Sequence, residues 1–115
     1  FSNREAKVRL LGKFIDKHID LRNFGCAVYA LAMVASGKSD GFIILSTREW
    51  DIAAGFLIIE EAGGIITGLK GDKWDFKNLQ YIGSNGKIHG KLLKMLSGIS
   101  IKSEHINHLN RKVYK

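Results

Sequence analysis

Apolar side chains recur at helical spacing near the start of the chain, from Val8 to Ile19, with lysine and arginine largely on the other face. Ser2 followed by Glu5 has the spacing of a capping box, in which each side chain satisfies a free backbone N–H at a helix start. Together these patterns predict an amphipathic helix over residues 3–18.

The next segments are more uniformly apolar. Leu21–Phe24 is a short candidate strand that Gly25 ends. Residues 26–36 are apolar on every face, which is typical of a helix buried on more than one side. Phe42–Leu45 is a β-branched and aromatic run, and it predicts a buried strand.

The second half alternates in the same way. A helix is expected over Trp50–Glu61, with Asp51 at or beside its start, followed by strands at Ile65–Thr67 and Tyr81-Ile82 and a helix over residues 87–97. Strands and helices therefore alternate, which predicts an α/β protein in which helices cover a layered sheet. The sheet need not be all parallel.

Composition removes several classes of protein. The single cysteine excludes a disulfide framework, and no stretch approaches the roughly 18 uncharged apolar residues that a membrane-spanning helix needs. The formal net charge is +7, but residues 87–115 hold seven Lys or Arg and one Glu. The positive charge is therefore a feature of the C-terminal quarter, and it is weak evidence for a nucleic-acid-binding domain.

Asp51 is the first residue that could carry chemistry. A carboxylate at a helix start commonly caps a backbone N–H and favours the helix dipole. An ionised carboxylate at a sheet edge also suits Mg²⁺. The spacing alone leaves both interpretations open.

Gly25 and Cys26 open a helix after a predicted strand, where free backbone N–H groups can face an anion. Cys26 is either a thiol activated by the helix start or a small buried apolar residue, and the second is the more common case. His105 and His108 are weak metal candidates, while Trp50 and Trp74 are more typical of core anchors.

Four segments in order carry a family resemblance. Residues 22–27 read Arg-Asn-Phe-Gly-Cys-Ala, and residues 34–41 read Val-Ala-Ser-Gly-Lys-Ser-Asp-Gly. Residues 50–55 read Trp-Asp-Ile-Ala-Ala-Gly, and residues 61–64 read Glu-Ala-Gly-Gly. This series resembles the inositol monophosphatase family over roughly residues 3–97.

The resemblance implies a layered αβαβα fold and a Mg²⁺-dependent, lithium-sensitive phosphomonoesterase, cytoplasmic and dimeric, that acts on an inositol or sugar phosphate. Asp51 would be the catalytic metal ligand, and the backbone around Gly25, Cys26 and Ala27 would line the substrate pocket. The chemistry implied is metal-assisted hydrolysis.

The family's Asp-Pro-x-Asp-Gly-Thr signature is missing, so the chain looks like the C-terminal half of such an enzyme. On this interpretation residues 1–97 are the C-terminal domain and residues 98–115 a basic tail. Alone, the chain would be inactive and would expose apolar surface on the helix at 26–36.

Two substitutions change what is expected of the site. Ile44 stands seven residues before Asp51, where inositol-hydrolysing members commonly have a Glu that binds a sugar hydroxyl. Cys26 stands where the family has Ser or Thr. An alternative function is a non-catalytic regulatory member of the same fold, whose basic tail binds RNA or an acidic partner of the transcription machinery.

Overall fold

A computed structural model describes residues 4–45, 49–74 and 80–101. For residues 49–54 it describes the backbone and not the side chains. Most of the predicted elements are confirmed within these residues. In chain order they are α1 (Arg4–Asp16), α2 (Ala27–Ala35), β1 (Gly41–Ile44), α3 (Glu49–Glu61), β2 (Ile65–Thr67), β3 (Tyr81–Ser84) and α4 (His89–Leu96). The mixed helix-and-sheet class predicted from the sequence is also confirmed.

The three described strands form one antiparallel sheet in the order β1-β3-β2. Phe42 pairs with Gly83, and Ile43 pairs with Ile82. Because side chains alternate along a strand, these two pairs face opposite sides of the sheet. The central strand β3 is buried along its whole length, whereas β1 and β2 each lie at an edge.

Helices cover both faces of the sheet, and each interface has its own apolar cluster. The buried residues between the sheet and the pair α2 and α3 are Leu31, Val34, Phe42, Ile59, Trp74 and Tyr81. Those between the sheet and the pair α1 and α4 are Leu10, Phe14, Ile82, Leu92, Met95 and Leu96. The prediction that Trp74 is a core anchor is confirmed, since it is 5% exposed.

The ammonium group of Lys13 joins α1 to the end of α4. Its Nζ donates hydrogen bonds to the carbonyl oxygens of Met95, at 2.8 Å, and Ser97, at 3.2 Å. The last carbonyl groups of a helix have no intrahelical donor, so a cation there satisfies them and complements the helix dipole.

The strand predicted at Leu21–Phe24 is wrong for this chain, since these residues have no regular secondary structure. Leu21 and Phe24 are 41% and 42% exposed. A strand is held by hydrogen bonds to a neighbouring strand, and no backbone hydrogen bond joins this segment to β1. An apolar run alone therefore does not make it part of the sheet.

Helix α2 departs from the expectation of burial on more than one side. Leu31 and Val34 are buried, but Val28 and Tyr29 are 47% and 51% exposed. The expectation that the chain exposes apolar surface on this helix is therefore confirmed. No helix among the described residues is long and apolar enough to cross a membrane.

Candidate functional site

The loop before α2 is held in one conformation by local hydrogen bonding. The side-chain oxygen of Asn23 accepts a hydrogen bond from the Gly25 N–H at 3.1 Å. Gly25 has φ +68°, a left-handed conformation that costs other residues about 1–2 kcal/mol. This turn places Cys26 at the N-cap position and Ala27 as the first helical residue.

The start of α2 has the properties of an anion site. The Ala30 N–H donates to the Cys26 carbonyl at 3.1 Å, so the first turn of the helix begins there. Cys26 makes no side-chain cap hydrogen bond. The preceding backbone N–H groups of the first turn, from Ala27 to Tyr29, have no partner among the described residues. Free N–H groups and the positive end of a helix dipole favour a phosphate or carboxylate.

The thiol of Cys26 is exposed, so its interpretation as a buried apolar residue is wrong. The physical reason is its position: it precedes the helix, where its neighbours are solvent and an open cleft. Asn23, which fixes the turn, was not singled out by the motif. Its place two residues before a glycine is a turn signal that would have indicated it.

Asp51 lies in the first turn of α3, which begins at Glu49. The predicted helix start near Asp51 is therefore confirmed for the backbone. Its side chain, like that of Trp50, lies outside the described residues, as do His105 and His108. The role of the Asp51 carboxylate, as a cap or as a ligand, stays a prediction.

The chain order brings the starts of α2 and α3 to one end of the sheet. Helix α2 leads into β1, and α3 leaves from the other end of β1, so both helices run back across the same face of the sheet. They pack closely where Gly55 meets Leu31, because a Cβ on Gly55 would collide with the leucine side chain. Gly55 is four residues after Asp51, and Leu31 is five after Cys26.

Ile44 ends β1 close to this site. It is half-buried and packs against the apolar cluster between the sheet and α2 and α3. An aliphatic side chain cannot accept a hydrogen bond from a sugar hydroxyl. The position therefore contributes packing and an apolar wall to the neighbouring cleft.

The described residues do not make a complete Mg²⁺ site. Mg²⁺ prefers several oxygen ligands in octahedral geometry. Among the described side chains, no group of three or more His, Cys, Asp or Glu residues lies close enough to hold an ion. Asp51 could supply one ligand, and the described part of the chain does not complete the set.

This fold and site define a class of protein: an α/β/α protein in which a helix start without a side-chain cap lies at the end of an edge strand. The model of the inositol monophosphatase family matches residues 2–100, and the chain belongs to that family.

Relatives are found in bacteria. The chain is 38% identical over 96 residues to SuhB of Neisseria meningitidis serogroup B. The aligned region covers 84% of this chain and 37% of that protein. It is 34% identical over 96 residues to the fructose-1,6-bisphosphatase/inositol-1-monophosphatase of Thermotoga maritima, with 80% and 38% covered. The chain therefore spans less than two fifths of the length of these relatives.

Solved structures show the same fold. The extragenic suppressor protein SuhB of Bartonella henselae superimposes with a TM-score of 0.76 at 33% identity, over 84% of this chain and 37% of that chain. The IMPase of Thermotoga maritima gives a TM-score of 0.70 at 35% identity, over 80% and 38%. The layered fold expected from the resemblance is thereby confirmed.

Proposed function

We propose that this chain is part of a Mg²⁺-dependent phosphomonoesterase that acts on an inositol or sugar phosphate. What supports the proposal is the chain order: α2 leads into one end of β1 and α3 leaves from the other, so both helix starts belong to the same end of the sheet. One is the uncapped start of α2, and the other is the first turn of α3, which contains Asp51. Membership of the inositol monophosphatase family supports a phosphatase activity in general.

Each part of the site has a proposed role. The backbone of Gly25, Cys26 and Ala27 binds the substrate, because its free N–H groups suit an anionic or hydroxylated ligand. Asp51 contributes a metal ligand. The remaining ligands come from the part of the family fold that this chain does not contain, so the 115 residues alone are inactive.

The site also suggests a preference among substrates. Ile44 gives an apolar wall where a hydroxyl-binding carboxylate is common in inositol-hydrolysing members. A site built to hydrogen-bond a hydroxyl loses discrimination when the partner is removed. We therefore expect weaker selection for inositol phosphate than in members that have the carboxylate. Lithium inhibition, a dimer and a cytoplasmic location are expected of the full-length protein by family resemblance.

Asp51→Asn in the full-length protein tests the proposal. The amide keeps the size of the side chain but removes the charge that binds a cation, so phosphate release should fall at least about 100-fold. Glu61→Gln is the matched control, since it removes one exposed carboxylate from the other end of α3. Phosphate release and its Mg²⁺ dependence are measured for both variants.

The outcomes separate the two interpretations of Asp51. A rate and Mg²⁺ requirement that survive Asp51→Asn mean that Asp51 is only a helix cap. Turnover by the isolated 115 residues at the rate of the full-length protein would contradict the proposed division of the site.

A role with the transcription machinery is the second candidate. Nus factor SuhB of Escherichia coli is 42% identical over 64 residues, which cover 56% of this chain and 24% of that protein. The lysine-rich segment after residue 86 adds the positive charge that an RNA or an acidic protein would meet. Deleting residues 98–115 should weaken RNA binding and flatten its dependence on salt. Unchanged binding would contradict this role for the tail.

A further inference from the structure

Asn85 and Gly86 lie in the turn that joins β3 to α4, and they are the single Asn-Gly pair of the sequence. Asn85 is exposed, and Gly86 has φ +93°, a conformation that favours glycine. An asparagine that precedes glycine is prone to deamidation, because no Cβ shields the glycine nitrogen from the asparagine amide. The sequence therefore places a reactive pair at this turn.

The side chain of Asn85 is folded back over the peptide that follows it. Its Oδ1 accepts a hydrogen bond from the Lys87 N–H at 3.0 Å. This bond closes a ring of atoms that contains both the Asn85 Cγ and the Gly86 nitrogen. The distance is also one at which a backbone donor stabilises a carbonyl oxygen that gains negative charge. The turn therefore holds the amide carbon beside the nitrogen and polarises its C=O bond.

The Gly86 N–H has a buried proton acceptor. It donates to Oγ of Ser84 at 3.0 Å, and this oxygen lies 2.7 Å from Nδ1 of His89. Ser84 is completely buried and His89 is 6% exposed. Because Ser84 accepts from Gly86, its own proton can be donated to the imidazole. Nε2 of His89 lies 2.8 Å from the Thr67 hydroxyl, so a third group orients the ring.

We propose that the Asn85-Gly86 pair is a self-catalysed deamidation site, in which Ser84 and His89 take up the proton of the attacking Gly86 nitrogen. This modification is separate from the proposed phosphatase activity and does not depend on it.

The reaction balances without a cofactor. The Gly86 nitrogen forms a bond to Cγ of Asn85, while its proton passes to the Ser84 oxygen and the Ser84 proton passes to Nδ1 of His89. The tetrahedral carbon then re-forms its C=O bond, and the Cγ–Nδ2 bond breaks with the electron pair on the departing nitrogen. That nitrogen takes up a proton from solvent and leaves as ammonia, and the imidazole returns its own proton to solvent. Water opens the remaining succinimide ring at either carbonyl group, which gives aspartate or isoaspartate at position 85.

The product would weaken a contact between β1 and β3. The Asn85 backbone N–H donates to the Asp40 carbonyl at 3.0 Å, and Nδ2 of Asn85 donates to the Asp40 carboxylate at 3.3 Å. Deamidation replaces the second donor by a carboxylate, and like charges this close repel each other. Asp40 directly precedes Gly41, which begins β1 and pairs with Ser84. The modification therefore loosens the end of the sheet from which α4 departs.

The test follows the conversion of residue 85 in the full-length protein at neutral pH, by peptide mapping with mass spectrometry. A synthetic peptide of residues 80–92 gives the rate for the same Asn-Gly pair without the fold. The folded protein should convert at least about 10-fold faster than the peptide, because a positioned general base commonly contributes more than that.

Variants identify the proton acceptor. Ser84→Ala and His89→Phe should each slow the conversion at least about 10-fold. Gly25→Ala is the control for a loss of stability elsewhere, since Gly25 has φ +68° in the loop before α2, and it should leave the rate unchanged.

The buffer provides a measurement that a purely structural role of Ser84 would not alter. Conversion of the wild-type protein should be independent of the phosphate buffer concentration, because its base is internal. Conversion of Ser84→Ala and of the peptide should accelerate as the buffer supplies the base.

Asn85→Asp measures the effect of the product on the sheet, and it should lower the urea midpoint of unfolding. Asn23→Asp is the matched control, because the Gly25 N–H bonds to the side-chain oxygen of Asn23, which aspartate retains. An equal midpoint for Asn85→Asp and the wild-type protein would contradict the proposed effect on β1 and β3.

Two outcomes would overturn the site itself. One is a folded protein that converts no faster than the peptide. The other is faster conversion in Ser84→Ala, which would mean that the hydrogen bond from Gly86 protects the turn. The comparison with the peptide and the buffer dependence of the wild-type protein decide the question even if a variant does not fold. None of these measurements depends on phosphatase activity.

Discussion

The imidazole Nδ1 of His89 lies 2.7 Å from the hydroxyl oxygen of Ser84, in the interior between β3 and α4. Its Nε2 lies 2.8 Å from the hydroxyl oxygen of Thr67 on β2. One assignment of the protons satisfies every group: Thr67 donates its own proton to the Gly68 carbonyl, at 2.9 Å, and accepts from Nε2–H. Nδ1 therefore accepts from Ser84, and the network is complete with a neutral ring.

Acid should destabilise the fold through His89. Burial lowers the pKa of His89 below its usual 6.5, so the unfolded chain binds a proton more readily than the folded one. The stability that depends on neutral His89 is fully present above pH 6.5, the pKa of the unfolded chain. It falls as the pH decreases below that value, and the loss levels off below the lowered pKa of the folded state. Urea unfolding between pH 8 and pH 5 measures the slope.

His89→Phe identifies the source of this slope. The variant should lose about 1–3 kcal/mol at neutral pH, because the Ser84 proton loses its acceptor, and it should be less sensitive to acid. His18→Asn is the control, since it removes an exposed imidazole at a residue with φ 55°, a conformation that asparagine tolerates. An unchanged slope in His89→Phe would show that other groups set the acid sensitivity.

Gly25→Ala should destabilise the chain by about 1–2 kcal/mol, because a side chain at φ +68° is strained although nothing lies within 4 Å of the new Cβ. Gly12→Ala is the opposite case. Gly12 is in α1, also with nothing within 4 Å, and alanine there should stabilise the helix by about 0.5–1 kcal/mol. Thermal unfolding of both variants checks the signs. Equal effects would mean that the loop before α2 can relax.

Lys13→Met should cost about 1 kcal/mol, because the carbonyl oxygens of Met95 and Ser97 lose their donor while the apolar stem of the side chain is kept. Lys17→Met is the control, because Lys17 is exposed and its side chain makes no hydrogen bond to another described residue. Chemical denaturation measures the difference, and equal midpoints would show that water replaces the lysine without loss.

Local signals predicted most of this fold, and long-range contacts decided the rest. The periodicity of α1 and the apolar run of β1 are properties of adjacent residues, so the sequence located both elements. Whether Leu21–Phe24 forms a strand depends on a neighbouring strand rather than on its own residues, and no backbone hydrogen bond joins this segment to β1. The partners of His89 come from β2 and β3, and nothing in the spacing of Thr67 and Ser84 indicates that they meet at one imidazole.

For the candidate site too, local signals predicted where the helices begin but not how the side chains are exposed. The motif located the helix starts at Gly25–Ala27 and near Asp51, because turn and cap residues act on their own neighbours. The exposure of Cys26 depends on the open cleft beside it, which no local pattern records.

Cys26→Ser should stabilise the start of α2. Cys26 occupies the N-cap position without a side-chain cap hydrogen bond, and serine is among the preferred residues there because its oxygen accepts from a first-turn N–H. The gain over Cys26→Ala should be about 1 kcal/mol in urea unfolding.

The same bond would occupy an N–H that the proposed substrate site uses. Cys26→Ser in the full-length protein should therefore alter KM for the phosphate ester while Cys26→Ala leaves it unchanged. Equal stability of the serine and alanine variants would show that the loop before α2 holds residue 26 away from the helix N–H groups.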